Sequence, residues 1–467
     1  MMKIVTGFSA ALLLAGCATQ TAQQTLKPEV PPQWRQAQGV VEASSVTRDW
    51  WRSFGSSELD GLLEATQVQS YDLAAAVARV TQAQATATIA GAALLPELNG
   101  NFSTTRNGRL GGDGNGSASG TTYQAGLTAS YELDFWGRTR AVRDSVHAGL
   151  RAAEFDRDTV HLTVTAGVAF AWLQTVGLRE RVAIADLSVA SAQRLLDVIE
   201  SRARAGAANP LELAQQRGVL ATQMRARAAI RQQAEDSLTT LAVLLGRNPS
   251  LLVLAATDLN KLQAPAIGVG LPADLLTRRP DIAQAEAQLS GADANIIAAR
   301  AAMLPRISLG GEVVAGSNRV SSVFDNPVYS LAAGLTAPIF NAGRLAAGRD
   351  LALAQREELL AHYHRTIVAA FGDVETALNA VAGIDAQRNA QEEELRQAQR
   401  ALSLAESRYR AGAETSLTLL DAQRTLYTAQ DAAAQLRTLR LQAAVSLYKA
   451  LGGGWQLTAQ ESPLPET

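Results

Sequence analysis

The sequence holds a single cysteine, Cys17, in 467 residues, so no intramolecular disulfide can form and a four-thiolate metal site is excluded. Histidine is almost as scarce. The four are His147, His161, His362 and His364, and the closest two stand at i and i+2, where helical side chains point apart and make no zinc pair. Of four methionines two are Met1 and Met2, which leaves no Met- and His-rich tract to mark a metal-specific protein. No Gly-rich phosphate loop is present and no grouping of Ser, His and Asp stands out, so no enzyme and no metal or organic cofactor is expected. A formal net charge of −2 with no basic block excludes the electrostatic footprint of a nucleic-acid binder. Aromatics are sparse, and Ala/Leu-rich runs sprinkled with Gln and Arg take their place, the palette of long helices.

What is present is a duplication. Residues 192–206 (AQRLLDVIESRARAG) and 398–412 (AQRALSLAESRYRAG) match at ten of fifteen positions at an offset of 206. The same offset carries Gly137-Arg138 onto Gly343-Arg344, Gly177 onto Gly383 and Leu245-Gly246 onto Leu451-Gly452. So long a period describes two large equivalent halves, not a solenoid array.

The N-terminus carries Lys3, an apolar run from Phe8 to Leu14 too short to span a bilayer, and then Leu14-Ala15-Gly16-Cys17. This ending resembles the bacterial lipoprotein signal, in which the cysteine is lipidated and becomes the mature N-terminus; a plain signal peptide with an incidental cysteine is the alternative. The segments are then a signal peptide at 1–16 and a Pro-, Gln- and Thr-rich tether at 17–57, its end pinned by Trp50, Trp51 and Phe54. A first repeat follows at 58–250, a linker at 251–271, a second repeat at 272–455 and a tail at 456–467.

Within the first repeat, residues 58–95 lack proline and predict one long helix ending before Pro96. The period then changes to two, giving strands at about 97–107 and 121–134 separated by a Gly-rich loop. Residues 137–205 are free of proline, and as one helix would be about 100 Å long against a hydrocarbon core of ~30 Å. Its many charges place it in water. Gly206 is a helix stop and Asn209-Pro210 a new start, so a second helix runs back to Gly246. The second repeat predicts a helix over 272–304, strands at about 306–316 and 328–339, a long helix over 343–411, a turn at Gly412 and a last helix to Leu451. Pro305 follows Pro96 by 209, so three residues are missing from the second hairpin, the Gly-rich loop being the expected place. Along the second long helix Ile367, Phe371, Val374, Leu378 and Val381 recur at the 3.5 spacing of a coiled-coil seam, compatible also with an ordinary amphipathic helix.

Strands of about ten residues suit an outer-membrane barrel, yet four cannot close one and lipid does not tolerate open edges. Three copies would supply twelve. Tyr131, Phe135, Trp136 and Phe340, where strands meet helices, suit an interfacial belt. A small soluble sheet is the alternative.

Leu-Ala-Gly-Cys17, the duplicated plan, Leu133-Asp134-Phe135-Trp136-Gly137-Arg138, Ser407-Arg408-Tyr409-Arg410-Ala411-Gly412 and Leu419-Leu420-Asp421-Ala422-Gln423-Arg424 together resemble the TolC family, and within it the outer-membrane lipoproteins that serve resistance-nodulation-division pumps. The fold this implies is mainly α with a membrane β-barrel: a homotrimeric α-barrel of long helical hairpins continuing a twelve-stranded barrel in outer-membrane lipid. The function implied is a passive efflux conduit for drugs or other small molecules. Its partners would be a periplasmic adaptor and an inner-membrane resistance-nodulation-division transporter, and its lipid the N-acyl and S-diacylglycerol groups on Cys17. The resemblance assigns the periplasmic gate to Leu417, Asp421 and Arg424, with the arginine latching neighbouring helices, and adaptor docking to the tips at Gly206 and Gly412. Asp421 also has a plainer reading as an acid favoured near a helix N-terminus. Two other functions stay open, a conduit dedicated to metal ions and a structural periplasmic spacer without a pore.

Overall fold

The computed structural model describes residues 29–35, 47–108, 120–265 and 267–456; the signal peptide, Cys17 and the tail beyond 456 lie outside them. Helices α1 (Ser57–Gln69) and α2 (Tyr71–Ala92) lead into strands β1 (Glu97–Asn107) and β2 (Gly120–Leu133), then helices α3 (Arg138–Arg204) and α4 (Pro210–Leu244). A connector leads to the short α5 (Leu275–Arg278), then α6 (Pro280–Ala301), β3 (Arg306–Ser317), β4 (Pro327–Thr336), α7 (Arg344–Arg410) and α8 (Ser416–Ala450).

The duplication is visible in the element bounds. Both ends of α3 and of α4 recur 206 residues later as α7 and α8, while both ends of α2 recur 209 later as α6. The difference falls between the strands of each hairpin, 12 residues in the first and nine in the second.

Two continuous helices expected from sequence are each broken. The 58–95 helix stops at Ser70, whose extended backbone (ψ 122°) starts α2 where the Gln69 carbonyl abuts Gly246. The 272–304 helix breaks at Arg279 (ψ 123°), because the ring of Pro280 excludes the residue before it from the α region. Strand β4 ends at Thr336, short of 339, since Pro338 has no N–H to continue the ladder.

At 67 residues α3 and α7 are each about 100 Å long. Helix α4 covers the half of α3 nearest the Gly206 turn and α8 the matching half of α7, while α2 and α6 pack along the halves nearest the strands. One stretch of α7 is apolar enough by composition to cross a membrane, but the helix runs far beyond it and packs on α6 and α8 as a wall. The largest core lies at mid-height, where Trp50, Trp51 and Phe54 join Leu59, Leu63, Trp172, Leu173, Leu241, Leu245 and Tyr448. Trp50 stacks on Tyr448 at 4.9 Å, and Trp172 Nε1 donates to Glu58 at 3.0 Å.

The four strands form one antiparallel sheet in chain order. Its register aligns every alternating series. Leu98 faces Ala129, Phe102 faces Ala125, Leu127 faces Val313, Tyr131 faces Leu309, Gly311 faces Leu331 and Val313 faces Tyr329. These residues therefore share one face across all four strands, and much of it is open, with Leu98, Phe102, Leu127, Tyr329, Leu331 and Leu335 exposed. The other face carries Asn99, Asn101, Thr128, Gln124, Glu132, Ser308, Glu312 and Ser330. The outer edges of β1 and β4 are unpaired.

Where α3 crosses α8 the backbones approach closely at Gly177. A Cβ there would overlap the Thr438 hydroxyl and lie 3.1 Å from Thr438 Cβ, whereas at its repeat counterpart Gly383 nothing lies within 4 Å. Thr438 cannot simply turn away, because its hydroxyl donates to the Ala434 carbonyl at 3.1 Å. Gly177→Ala is expected to destabilise by about 1–3 kcal/mol through overpacking, and Gly383→Ala to be neutral or to stabilise by up to ~1 kcal/mol through helix propensity. Thermal unfolding of the pair checks this, with Thr438→Ala restoring the first.

Candidate functional site

The long hairpins turn at two equivalent tips. At each, a glycine in the left-handed region, Gly206 at φ 73° and Gly412 at φ 74°, ends the first helix. The Ala207 amide bonds back to the Arg202 carbonyl at 2.8 Å, and Ala413 to Arg408 at 2.9 Å, closing a Schellman-type stop. The return helices start on side-chain caps: Asn209 accepts from the Glu212 amide at 3.0 Å, and Thr415 accepts from the Thr418 amide at 3.4 Å. No atom lies within 4 Å of a Cβ built on either glycine, so φ demands glycine there and space does not.

Leu417, Asp421 and Arg424 occupy one face of the first turns of α8. All three are open in the protomer, Leu417 at 67% exposure. Arg424 Nη2 donates to Asp421 Oδ1 at 2.7 Å. Among the described residues the partner of Arg424 is one turn back on its own helix, the i, i+3 spacing that lets side chains meet. This face presents an apolar side chain and an ion pair outward, with the opposite face of α8 buried.

Three residues that sequence reading did not single out tie the two hairpins together behind it. Arg202, near the end of α3, lays its guanidinium over the Tyr409 ring at 4.6 Å and donates to the Tyr409 carbonyl at 3.0 Å. The Tyr409 hydroxyl donates to Glu212 Oε2 of α4 at 3.4 Å. Tyr409 is 3% exposed, and burial, then the Glu212 charge, pushes its phenol above the usual range. The visible signal was a broken repeat: at offset 206 Tyr409 stands where the first half has Ala203.

Higher up, ion pairs hold α3 to α8. Arg181 binds Asp431 through two bonds of 2.7 and 3.0 Å. Glu180 pairs with Arg437 and accepts from the Leu259 amide at 3.1 Å, fastening the connector as well. At the strand end, Asp134 of the Leu133–Arg138 motif caps α3, accepting from the Thr139 and Arg140 amides at 2.9 Å each. Burial pushes its carboxyl up, but the amides and the Arg140 guanidinium outweigh that and hold it below the usual range. The cap's contribution is thus present above the ordinary carboxylate pKa and is lost as pH falls through the lowered value. Trp136 Nε1 donates to the Pro305 carbonyl at 2.7 Å, joining the two strand–helix junctions. No cluster of His, Cys, Asp and Glu able to hold a metal ion occurs among the described residues.

Among the described residues the geometry is a four-stranded sheet with open edges and one apolar face, standing on helices of about 100 Å whose far tips expose Leu417, Asp421 and Arg424. Comparison with known proteins agrees. The family described as "Outer membrane efflux protein" matches residues 62–247 and 271–453, one segment in each repeat. Over 98% of both chains the sequence is 49% identical to the "Pyoverdine export outer membrane protein OpmQ" of Pseudomonas aeruginosa. It is 32% identical to the "Cation efflux system protein CusC" of Escherichia coli, over 96% of this chain and 98% of that one. Among solved structures, the outer-membrane channel OprN superposes with a TM-score of 0.86 at 26% identity, covering 95% of this chain and 99% of the other.

Proposed function

The chain belongs to the outer membrane efflux protein family, and on that footing we propose that three copies close their sheets into one twelve-stranded barrel and work as the outer-membrane channel of a tripartite efflux system. The observation that carries this is the single apolar face running in register across four strands with both edges unpaired. In lipid such edges must be closed, and an apolar face outside a polar one is the pattern of a lipid-embedded, water-lined barrel. The helical hairpins continue the lumen through the periplasm, and transport is passive, with energy supplied by an inner-membrane resistance-nodulation-division transporter through a periplasmic adaptor that docks at the Gly206 and Gly412 tips. Leu417, Asp421 and Arg424 form the three-fold constriction there, an apolar ring beside a carboxylate ring that favours cations.

Cys17 carries the lipid. Trp34 sits in a mid-height socket, its Nε1 donating to the Gly270 carbonyl at 3.0 Å and its ring edge-on to Phe371, while the Arg35 amide donates to Glu375 at 3.0 Å. Seventeen steps of chain lead from Cys17 to Trp34, a reach of up to roughly 60 Å, against about 45 Å of rise along α7 from Arg344 to Val374. The tether is long enough to set acyl chains in the membrane while Trp34 stays seated.

The cargo is read from the relative at 49% identity over nearly the whole chain, which is named for pyoverdine export; we take a small molecule of that kind as the first candidate and cations, the cargo named for the relative at 32%, as the second. Cysteine pairs placed on the β1 and β4 edges test the assembly. They are expected to cross-link into dimers and trimers and no further; ladders beyond three, or no cross-links in folded protein, would exclude a closed trimeric barrel.

A further inference from the structure

Several buried side-chain nitrogen and oxygen atoms lack a hydrogen-bond partner among the described residues, and three of them sit on two glutamines at the tip end: Gln216 Oε1, Gln423 Oε1 and Gln423 Nε2. Both glutamines are fully buried. Gln216 of α4 donates its amide to the Ala192 carbonyl of α3 at 2.9 Å. The Tyr427 hydroxyl of α8 lies beside Ser191 of α3, so Gln216 and Tyr427 meet the same turn of α3, and Gln423 lies one turn nearer the tip on α8. Around them are Leu195, Ile199, Leu213, Leu419, Leu426 and Ala429, an otherwise apolar core.

A buried polar group left unpaired is expensive, and its unpaired state in one packing is a bias toward another packing in which it finds a partner. Gln423 is two residues beyond Asp421, roughly 200° round the helix at 3.6 residues per turn. It therefore lies on the face of α8 turned away from the proposed gate residues, and any turn or slide of α8 that moves Asp421 moves Gln423 against α3 and α4 by the same amount. The repeat is broken here too: Gln423 corresponds to the exposed Arg217, and the buried Gln216 to Ala422, so α4 and α8 present different faces to this core.

We propose that Gln423, with Gln216, is the positioning group of the gate helix: its polar atoms are unpaired in the packing described here and pair when α8 shifts, which keeps this packing from being too stable to release. This rests on the gate reading of Leu417, Asp421 and Arg424. Tyr409 and Arg202 tie α3, α4 and α7 together beside this core, and in the proposal the buried amides oppose that tie.

The test uses the full-length trimer in planar bilayers and in thermal unfolding, comparing Gln423→Leu, Gln423→Met and Asp421→Ala with wild type. The leucine and methionine variants are expected to unfold at higher temperature and to open at least threefold less often, while Asp421→Ala raises the current. Methionine keeps the unbranched shape of glutamine, so a packing failure peculiar to leucine is recognised. If both variants unfold at lower temperature, the amide is satisfied by solvent and the proposal falls. If they are more stable but open as often as wild type, the proposal falls while the gate reading stands. If Asp421→Ala changes nothing, the gate reading falls and this inference with it.

Discussion

Gly412→Trp is expected to abolish export while trimers still form. The backbone at Gly412 is left-handed at φ 74°, so any L side chain costs about 1–2 kcal/mol there. That is a local strain at an exposed turn, and no atom lies within 4 Å of the added Cβ, so a side chain starts out into open space. The sheet and the mid-height core around Trp50, Trp172 and Tyr448 lie far from the tip, so the fold of the protomer is left intact. What the indole would occupy is the space proposed above for an adaptor hairpin. Gly412→Ala carries the same backbone strain without the bulk and is expected to retain most export. The comparison is made by export of a fluorescent substrate from cells, with trimers checked on unheated gels; full export by Gly412→Trp would place docking elsewhere.

Tyr409→Ala is expected to make the channel leak. Its ring is buried against Arg202 and fills the junction of α3, α4 and α7. Truncating a buried aromatic of this size removes about 3–5 kcal/mol of packing, and the cation–π contact adds ~1–2 kcal/mol in a partly desolvated site. Every 1.4 kcal/mol is about tenfold in an equilibrium, so even a third of that loss, felt by the latched state alone, raises the open fraction on the order of tenfold. Tyr409→Phe keeps ring and cation and loses one long hydrogen bond, roughly 0.5–1.5 kcal/mol, so its leak is small. Because burial, then Glu212, raises the phenol, its contribution is fully present below the ordinary tyrosine pKa and is lost only as pH climbs through the raised value. The latch is thus insensitive to pH across the neutral range on account of this group. Single-channel recordings of both variants decide; equal currents from alanine and wild type would show that the tie bears no load in closing.

The architecture was legible because its causes are local. An offset of 206 in sequence reappears as an offset of 206 in the bounds of the paired helices, and period-two runs became strands whose apolar positions share one face. The break at Arg279 was equally readable, since Pro280 stands in the sequence and forbids a helical residue before it. The break at Ser70 was not, because it depends on the distant Gly246 meeting the Gln69 carbonyl. At the tip, Gly206, Gly412 and the caps follow from residue type alone. Tyr409 could have been found by asking where the repeat fails. Gln216 and Gln423 could not, because whether a glutamine on a helix is exposed or buried depends on how α4 and α8 are rotated about their axes, which only packing decides. The partner of Arg424 likewise follows from the rotamers of one helix face, not from spacing between helices.

The claim that this chain makes a pore is tested most directly by recording the purified, lipidated wild-type trimer in planar bilayers. Small, cation-selective single-channel currents are expected on the proposed assignment of Leu417, Asp421 and Arg424 to a three-fold constriction at the periplasmic end. Bilayers that stay silent with protein shown to be folded and trimeric would contradict it, and would turn the reading to a structural spacer that holds membranes apart without a channel.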